Sequence, residues 1–403
     1  MSGGQQPWIS AADAARMLGV TRATLYAYVS RGYVRSQPVP GSSRQRTYAC
    51  DDLERLRRRT EERRAPDKAA ARALQWGMPI LESSIAFIDG RALYYRGHDA
   101  ALLARSRSLE EVASLVWTGG FTSLGTTLAI ERTAASIAKL PFVPRAQSVL
   151  AAAAGRDPLA LDLRAPAVSA SGLRIIRLLI TAATHEDRGD EPADAALARH
   201  WAAGVRGREI VRAALVLCAD HELNVSSFTA RCVASAGSHP YAVVIAGLAA
   251  LEGPRHGAAS TRVEAMMESF RRARPVRVAL NARVARGEAV DGFGHPLYPG
   301  GDPRARVLLE LLGDGYSRSA EYRFVMEIAR AATRATGEHP NVDFALAAVS
   351  RVLGLPSGSP MVLFAIGRSV GWIGHAIEQY ANGQLIRPRA KYVGVPPLAS
   401  QQR

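Results

Sequence analysis

The chain has 403 residues, 48% of them hydrophobic and 22% charged, which provides for a packed core in two or three domains and is at odds with extended disorder. Its formal charge of +15 is uneven: residues 1–65 hold twelve Arg against six acids, a net of +6, and the other 338 residues carry the remaining +9. Three scattered cysteines, Cys50, Cys218 and Cys232, exclude a disulfide framework and show no metal-ligand spacing, and apolar runs such as YAVVIAGLAAL (241–251) fall short of the roughly 18–20 residues that span a bilayer. With no leader pattern either, a cytoplasmic protein with no membrane partner is expected.

In chain order, SAADAARMLGVTRATLYAYVSRGYV (10–34) places Ala14, Ala15 and Leu18 on a short apolar face before a turn at Gly19. Thr21 then caps a second helix by accepting from its free first-turn amides. Two short helices joined by a tight Gly turn make a helix-turn-helix. The segment resembles the winged DNA-binding domains of the MerR and excisionase type, with TRATLYAYVSRG as second helix and PGSSRQRTYACDDLERL (40–56) as wing and third helix. That resemblance, with the density of positive charge, implies DNA as a partner of residues 1–65. Arg22, Tyr26 and Tyr28 would lie on or near the exposed helix and Arg44 and Arg46 on the wing, within reach of phosphate. The run ERLRRRTEERR (54–64) reads as a solvated helix face, and 66–77 as a linker.

From residue 78 the texture changes. SSIAFIDGRALYYRGHD (83–99) alternates around Asp89-Gly90, which predicts a hairpin. Beyond it, SLEEVASLVW (108–117), REIVRAALVLCADHEL (208–223), EYRFVMEIARAATRAT (321–336) and VLFAIGRSVGWIGHAIEQYA (362–381) repeat apolar residues at three- and four-residue spacing. The expected fold class is mainly α.

Three segments set a reactive side chain among Gly or Pro in this helical background: GPRHGAAS (253–260), GFGHPLYPGGDPRA (292–305) and HPNVDFALAA (339–348). Gly253 and Gly257 around His256, and Gly292 and Gly294 before His295, permit tight turns and close backbone approach to a ligand. Together with ADHELNVSSFTARCVAS (219–235), FAIGRSVGWIGHAIEQ (364–379) and IRPRAKYVG (386–394), these six ordered blocks resemble the citrate synthase family over residues 78–396. The resemblance implies an all-helical body over 78–403 with large and small subdomains, the small one near 225–330, and a homodimer with shared active sites.

It also implies the chemistry. An acyl-CoA, acetyl-CoA or propionyl-CoA, serves as co-substrate, no cofactor or metal is needed, and the product with oxaloacetate is citrate or 2-methylcitrate. Asp343 would be the base that takes the α-proton, His256 the hydrogen-bond donor to the thioester oxygen, and His295 the group that polarises the 2-oxo acid carbonyl. Arg304, Arg368 and His221 would hold the oxo acid, with Arg387 reaching the neighbouring subunit's site. Arg255, Arg306 and Arg389 read as solvated or structural, and His339 and His375 as structural. Pro296 and Pro299 stand where the family often has basic residues that contact CoA, GPLHGGAN appears as GPRHGAAS, and Ala345, Leu346 and Ala347 replace polar and Gly residues after the base. Two other expectations compete: a DNA-binding, metabolite-sensing regulator built on a synthase body, and a synthase whose N-terminal domain only binds protein or stabilises the dimer.

Overall fold

The computed structural model describes residues 8–39, 45–54, 56–57, 81–125, 135–273 and 275–395. The chain divides into two compact units, Met1–Glu82 and Ser83–Arg403. The expected linker at 66–77, Arg44 and most of the arginine-rich run lie outside the described residues.

In the first unit Ser10 caps the helix Ala11–Leu18, its hydroxyl accepting from the Asp13 amide, and Gly19 ends it at φ +64°. Thr21 caps the second helix, Arg22–Ser30, as its position implies. The strands Ser36–Pro38 and Trp8–Ser10 flank Arg46–Ala49, both antiparallel to it, with Gln37 and Ser10 opposite Thr47. Ala14, Leu25, Val34, Tyr48 and Leu53 close a small core beneath them. Tyr28 packs against that core rather than standing free. Arg46 is exposed but donates through Nε to Ser36 Oγ at 3.0 Å. Arg22 and Tyr26 are exposed.

The second unit opens with the expected hairpin, Ala86–Ile88 pairing with Leu93–Tyr95. Asp89 Oδ1 accepts from the amides of Arg91 and Ala92 at 2.8 and 2.7 Å, closing the turn. The rest is helical. The long helix Ser359–Asn382 runs through the core, packed against Leu109–Thr118, Ala165–Thr184, Gly204–Leu217, Val225–Ser235 and Pro240–Leu251. Two of these helices, Ala165–Thr184 and Ser359–Asn382, are longer and more continuously apolar than the short runs read from sequence, because Gly, Ser and Thr interrupt the runs without interrupting the helix. They meet the length and hydropathy of a membrane span, yet 67% and 89% of their apolar windows are buried inside the unit, which identifies them as core helices.

The helix expected over 208–223 ends at Leu217. Tyr95, reaching across from the hairpin, donates its hydroxyl among the carbonyls of Val216, Leu217 and Asp220, at 3.0, 3.2 and 3.3 Å. Beyond this point the backbone turns, with Glu222 at φ +50°, so that residues 220–223 present side chains instead of continuing a helix. The long helix passes close beside this turn. A Cβ at Gly371 would lie 2.5 Å from the Ala219 carbonyl oxygen, so only glycine permits the 2.9 Å hydrogen bond from the Gly371 amide to that carbonyl.

Candidate active site

Four segments converge. His221 comes from the turn after Leu217, His256 from the turn before Ala259–Arg272, His295 from the loop before Pro303–Tyr316, and Asp343 from the first turn of Val342–Val352. Arg368 enters from the middle of the long helix.

The His295 loop and the start of the Asp343 helix are laced together. Phe293 bridges Pro340, the Gly294 amide donates to His339 O at 2.8 Å, the Asn341 amide donates to Gly292 O at 2.9 Å, and Asn341 Nδ2 donates to Gly294 O at 3.1 Å. Gly292 sits at φ +86°, where a Cβ would lie 2.9 Å from Phe344 Cβ and Val263 Cγ2. Asn341 Oδ1 caps the helix, accepting the amides of Asp343 and Phe344. Asp302 adds a second tie: it holds Arg304 through Nε and Nη2 at 3.0 and 2.8 Å and accepts the Val342 amide at 3.0 Å.

The oxo-acid candidates form one cluster. The rings of His221 and His295 meet edge to face with centroids 5.1 Å apart, and Tyr298 contacts both, its hydroxyl 3.0 Å from His221 Nε2. Arg304 lies 5.7 Å from the Tyr298 ring centroid. Arg368, 1% exposed, donates through Nε to Cys218 O at 2.7 Å, and its Nη2 is buried with no hydrogen-bond partner among the described residues. Phe364 lies between Arg368 and His256, 4.7 Å from the guanidinium carbon and 5.7 Å from the imidazole centroid.

Burial sets the electrostatics. It pushes Asp343 up to about 7, with Arg304 opposing, and leaves Oδ1 buried without a hydrogen bond among the described residues. Burial, reinforced by Arg368, pulls His256 down to about 4; burial and Arg304 do the same to His295; His221 is held well below its ordinary value. All three imidazoles are neutral at pH 7. In His295, Nδ1 accepts the Leu297 amide at 3.2 Å, so the ring proton sits on Nε2. His256 Nε2 lies 2.7 Å from Ser226 Oγ, which receives the Trp372 indole N–H at 3.1 Å and stands 2.8 Å from Asn224 Oδ1.

His221, His256, His295, Arg304, Arg368 and Asp343 are therefore brought together. Arg387 is not: it is exposed on the segment after the long helix and shares none of these contacts. Arg255, Arg306, Arg389 and His339 are exposed. His375 is fully buried, 3.2 Å from Asp220 Oδ1. Sequence reasoning missed Tyr298, Ser226 and Asp302, although all three stand inside the blocks that carried the resemblance. Pro296 and Pro299 are exposed at the mouth of the loop, and Ala345, Leu346 and Ala347 are buried behind the base.

A family model described as citrate synthase, C-terminal domain, matches residues 73–389. Citrate synthase 2 of Bacillus subtilis is 32% identical over 361 residues, which cover 81% of this chain and 96% of that protein. The 2-methylcitrate synthase of Shewanella oneidensis is 27% identical over 343 residues, 77% of this chain and 91% of its own. A solved structure of similar fold is the Thermoplasma acidophilum citrate synthase in ternary complex with carboxymethyl coenzyme A and oxaloacetate, with a TM-score of 0.68 and 24% identity over 81% of this chain and 97% of that one. These matches favour the condensing enzyme over the metabolite-sensing regulator. With about four fifths of its length aligned to nearly complete relatives, the chain belongs to the citrate synthase family.

Proposed function

We propose that the chain condenses acetyl-CoA, or another short acyl-CoA such as propionyl-CoA, with oxaloacetate, giving citrate or 2-methylcitrate and free CoA. One observation carries the proposal: a buried carboxylate oxygen and a buried guanidinium nitrogen, both without a hydrogen-bond partner among the described residues, stand in one constellation with three neutral imidazoles.

Asp343 takes the α-proton of the thioester. Its raised value makes it a stronger base than an ordinary carboxylate, and the unpartnered Oδ1 is the atom to receive the proton. The thioester oxygen gains charge as the enolate forms and needs a donor. His256 supplies it from Nδ1 when Ser226 gives its hydroxyl proton to Nε2, since a neutral imidazole has one N–H. The Ser226 hydroxyl also stands as donor to Asn224 Oδ1 at 2.8 Å, an acceptor that already receives the Ser226 and Ser227 amides, so this role requires the hydroxyl to turn to His256 Nε2, 2.7 Å away. The enol carbon then attacks the oxo acid carbonyl, whose oxygen is polarised and finally protonated by His295 Nε2–H. Water hydrolyses the resulting thioester, releasing CoA.

The oxo acid carboxylates are held by Arg368, His221 and Arg304, the last through Nη1, the nitrogen left over from its pair with Asp302. Arg387 fits a role in the partner's site within a homodimer, which accounts for its absence from the cluster in its own chain. The test is free thiol release from acetyl-CoA or propionyl-CoA with oxaloacetate. Absence of release with either donor from folded protein overturns the proposal.

For residues 1–65 we infer a DNA-binding domain of the MerR type in the same protein. The capped helix pair, its left-handed Gly19 turn and the antiparallel strands Ser36–Pro38 and Arg46–Ala49 support it, as does exposed Arg22 on the second helix. Binding to DNA by the full chain that weakens steeply with salt is expected; no binding at low salt removes the inference.

A further inference from the structure

The long helix Ser359–Asn382 buries an imidazole that the condensation does not use. His375 and Asp220 are both fully buried, with His375 Nε2 3.2 Å from Asp220 Oδ1 and Nδ1 4.0 Å from Glu378 Oε2. Neither ring nitrogen nor Asp220 Oδ1 has a hydrogen-bond partner among the described residues. Buried polar atoms in that state are costly, and the short approach between the two groups compensates both. Glu378 is engaged elsewhere: Arg231 Nη1 donates to its Oε2 at 3.2 Å, and the Ser84 amide and hydroxyl donate to its Oε1, both at 2.8 Å. The closer contact of the imidazole is therefore the one to Asp220.

Asp220 precedes His221, and its other oxygen shapes the turn. Oδ2 accepts the Glu222 amide at 3.1 Å, which closes an Asx-turn with His221 at its centre and Glu222 at φ +50°. Tyr95 holds the same residue by its backbone, the hydroxyl 3.3 Å from Asp220 O. Gly371 on the long helix makes room for the carboxylate, since a Cβ there would run into Asp220 Oδ1. One oxygen of Asp220 thus faces the turn and the other faces His375.

We propose that His375 is a positioning residue for oxo-acid binding: it holds the Asp220 carboxylate, and Asp220 holds the turn that places His221 beside His295 and Tyr298. The inference rests on the oxo-acid role proposed for His221. A ring proton on Nε2 points to Oδ1, which fixes the rotation of the carboxylate and keeps Oδ2 on the Glu222 amide. Without that contact the carboxylate is free to turn and the His221 ring loses its fixed direction. His256 and Asp343, which come from other segments, keep theirs.

The experiment measures kcat and the KM values for oxaloacetate and acyl-CoA in the full-length protein and in His375→Leu, His375→Gln and Asp220→Ala. The same substitutions are then measured in a His221→Ala background. His375→Leu and Asp220→Ala are expected to raise the KM for oxaloacetate roughly tenfold, with kcat and the KM for acyl-CoA within about threefold. His375→Gln, whose amide keeps a donor, should recover most of the loss. In the His221→Ala background the substitutions should move the KM for oxaloacetate by less than about twofold, because they act through the missing ring; a merely structural role would not show that dependence. Equal effects in both backgrounds, a joint rise in both KM values, His375→Gln no better than His375→Leu, or loss of folding in both His375→Leu and Asp220→Ala overturns the proposal. Absence of thiol release from the unaltered protein overturns the catalytic reading instead. Calorimetric titration with oxaloacetate then decides the positioning role, and no binding by the unaltered protein, or equal binding by His375→Leu, removes it.

Discussion

In the N-terminal unit the positive charge stays in water: Arg22 is exposed, and Arg35, its side chain more than half exposed, reaches the buried Asp52 at 2.8 Å. In the larger unit the charges that matter are buried, with Arg304 at 3% and Arg368 at 1% exposure. Solvated charges cost little to place and their positions are loosely specified, so they act as a field. Buried charges are tolerated only when paired or when a ligand completes them, so each one points to a partner. Arg304 has its partner in Asp302, whereas Arg368 keeps one nitrogen with no hydrogen-bond partner among the described residues. The contrast teaches that one region is read by summing charge and the other by asking which buried groups remain unmatched.

Substitutions test that contrast. Asp343→Asn removes the base while keeping size and is expected to lower kcat by about 10³, followed by thiol release; retention of a tenth of the activity would mean that another group takes the proton. His256→Gln is expected to lower kcat by about 10², with the KM for oxo acid little changed. Arg368→Lys replaces a planar fork by a point charge, and the KM for oxo acid should rise roughly 30-fold, as a lost charge-assisted bond of about 2 kcal/mol implies.

The pH profile gives a smaller effect. Asp343 must be ionised to act, and it titrates near 7, whereas the imidazoles of His256 and His295 lose their protons near 4. In the free enzyme kcat/KM should therefore be level above about pH 8 and fall about tenfold per unit below 7; a profile flat from 5 to 9 would place the base elsewhere. Smallest of all, Arg22→Ala should leave the kinetics within about twofold while weakening DNA binding and lowering its salt slope by about one.

Part of this site was legible in the sequence because His256 and His295 sit on glycine-flanked turns, and turns that a helical chain has no structural need for stand out. Six of the seven residues expected to carry the condensation meet in the folded chain. What was not legible lies across long separations. Tyr298 reaches His221 from 77 positions away, and Ser226 reaches His256 from 30, contacts that no local pattern encodes. The end of the helix at Leu217 was missed for the same reason: the carbonyls there are taken from far along the chain, by Tyr95, 121 residues upstream of Val216, and by Arg368 and Gly371. In the smaller unit the helix pair and its caps followed from Ser10, Gly19 and Thr21, but the inward packing of Tyr28 depends on a core that spacing alone did not reveal.

The hydrogen bonds that tie Gly292 and Gly294 to His339 and Asn341 make His295 and Asp343, the groups proposed to polarise the carbonyl and to accept the proton, parts of a single rigid piece. Their separation is then insensitive to motion of the surrounding helices, and opening or closing of the cleft would carry both together. Evolution has room to reshape either the acyl pocket or the entrance around this piece, but a single-residue insertion between Gly292 and His295 would misalign both of the proposed proton-transfer groups at once.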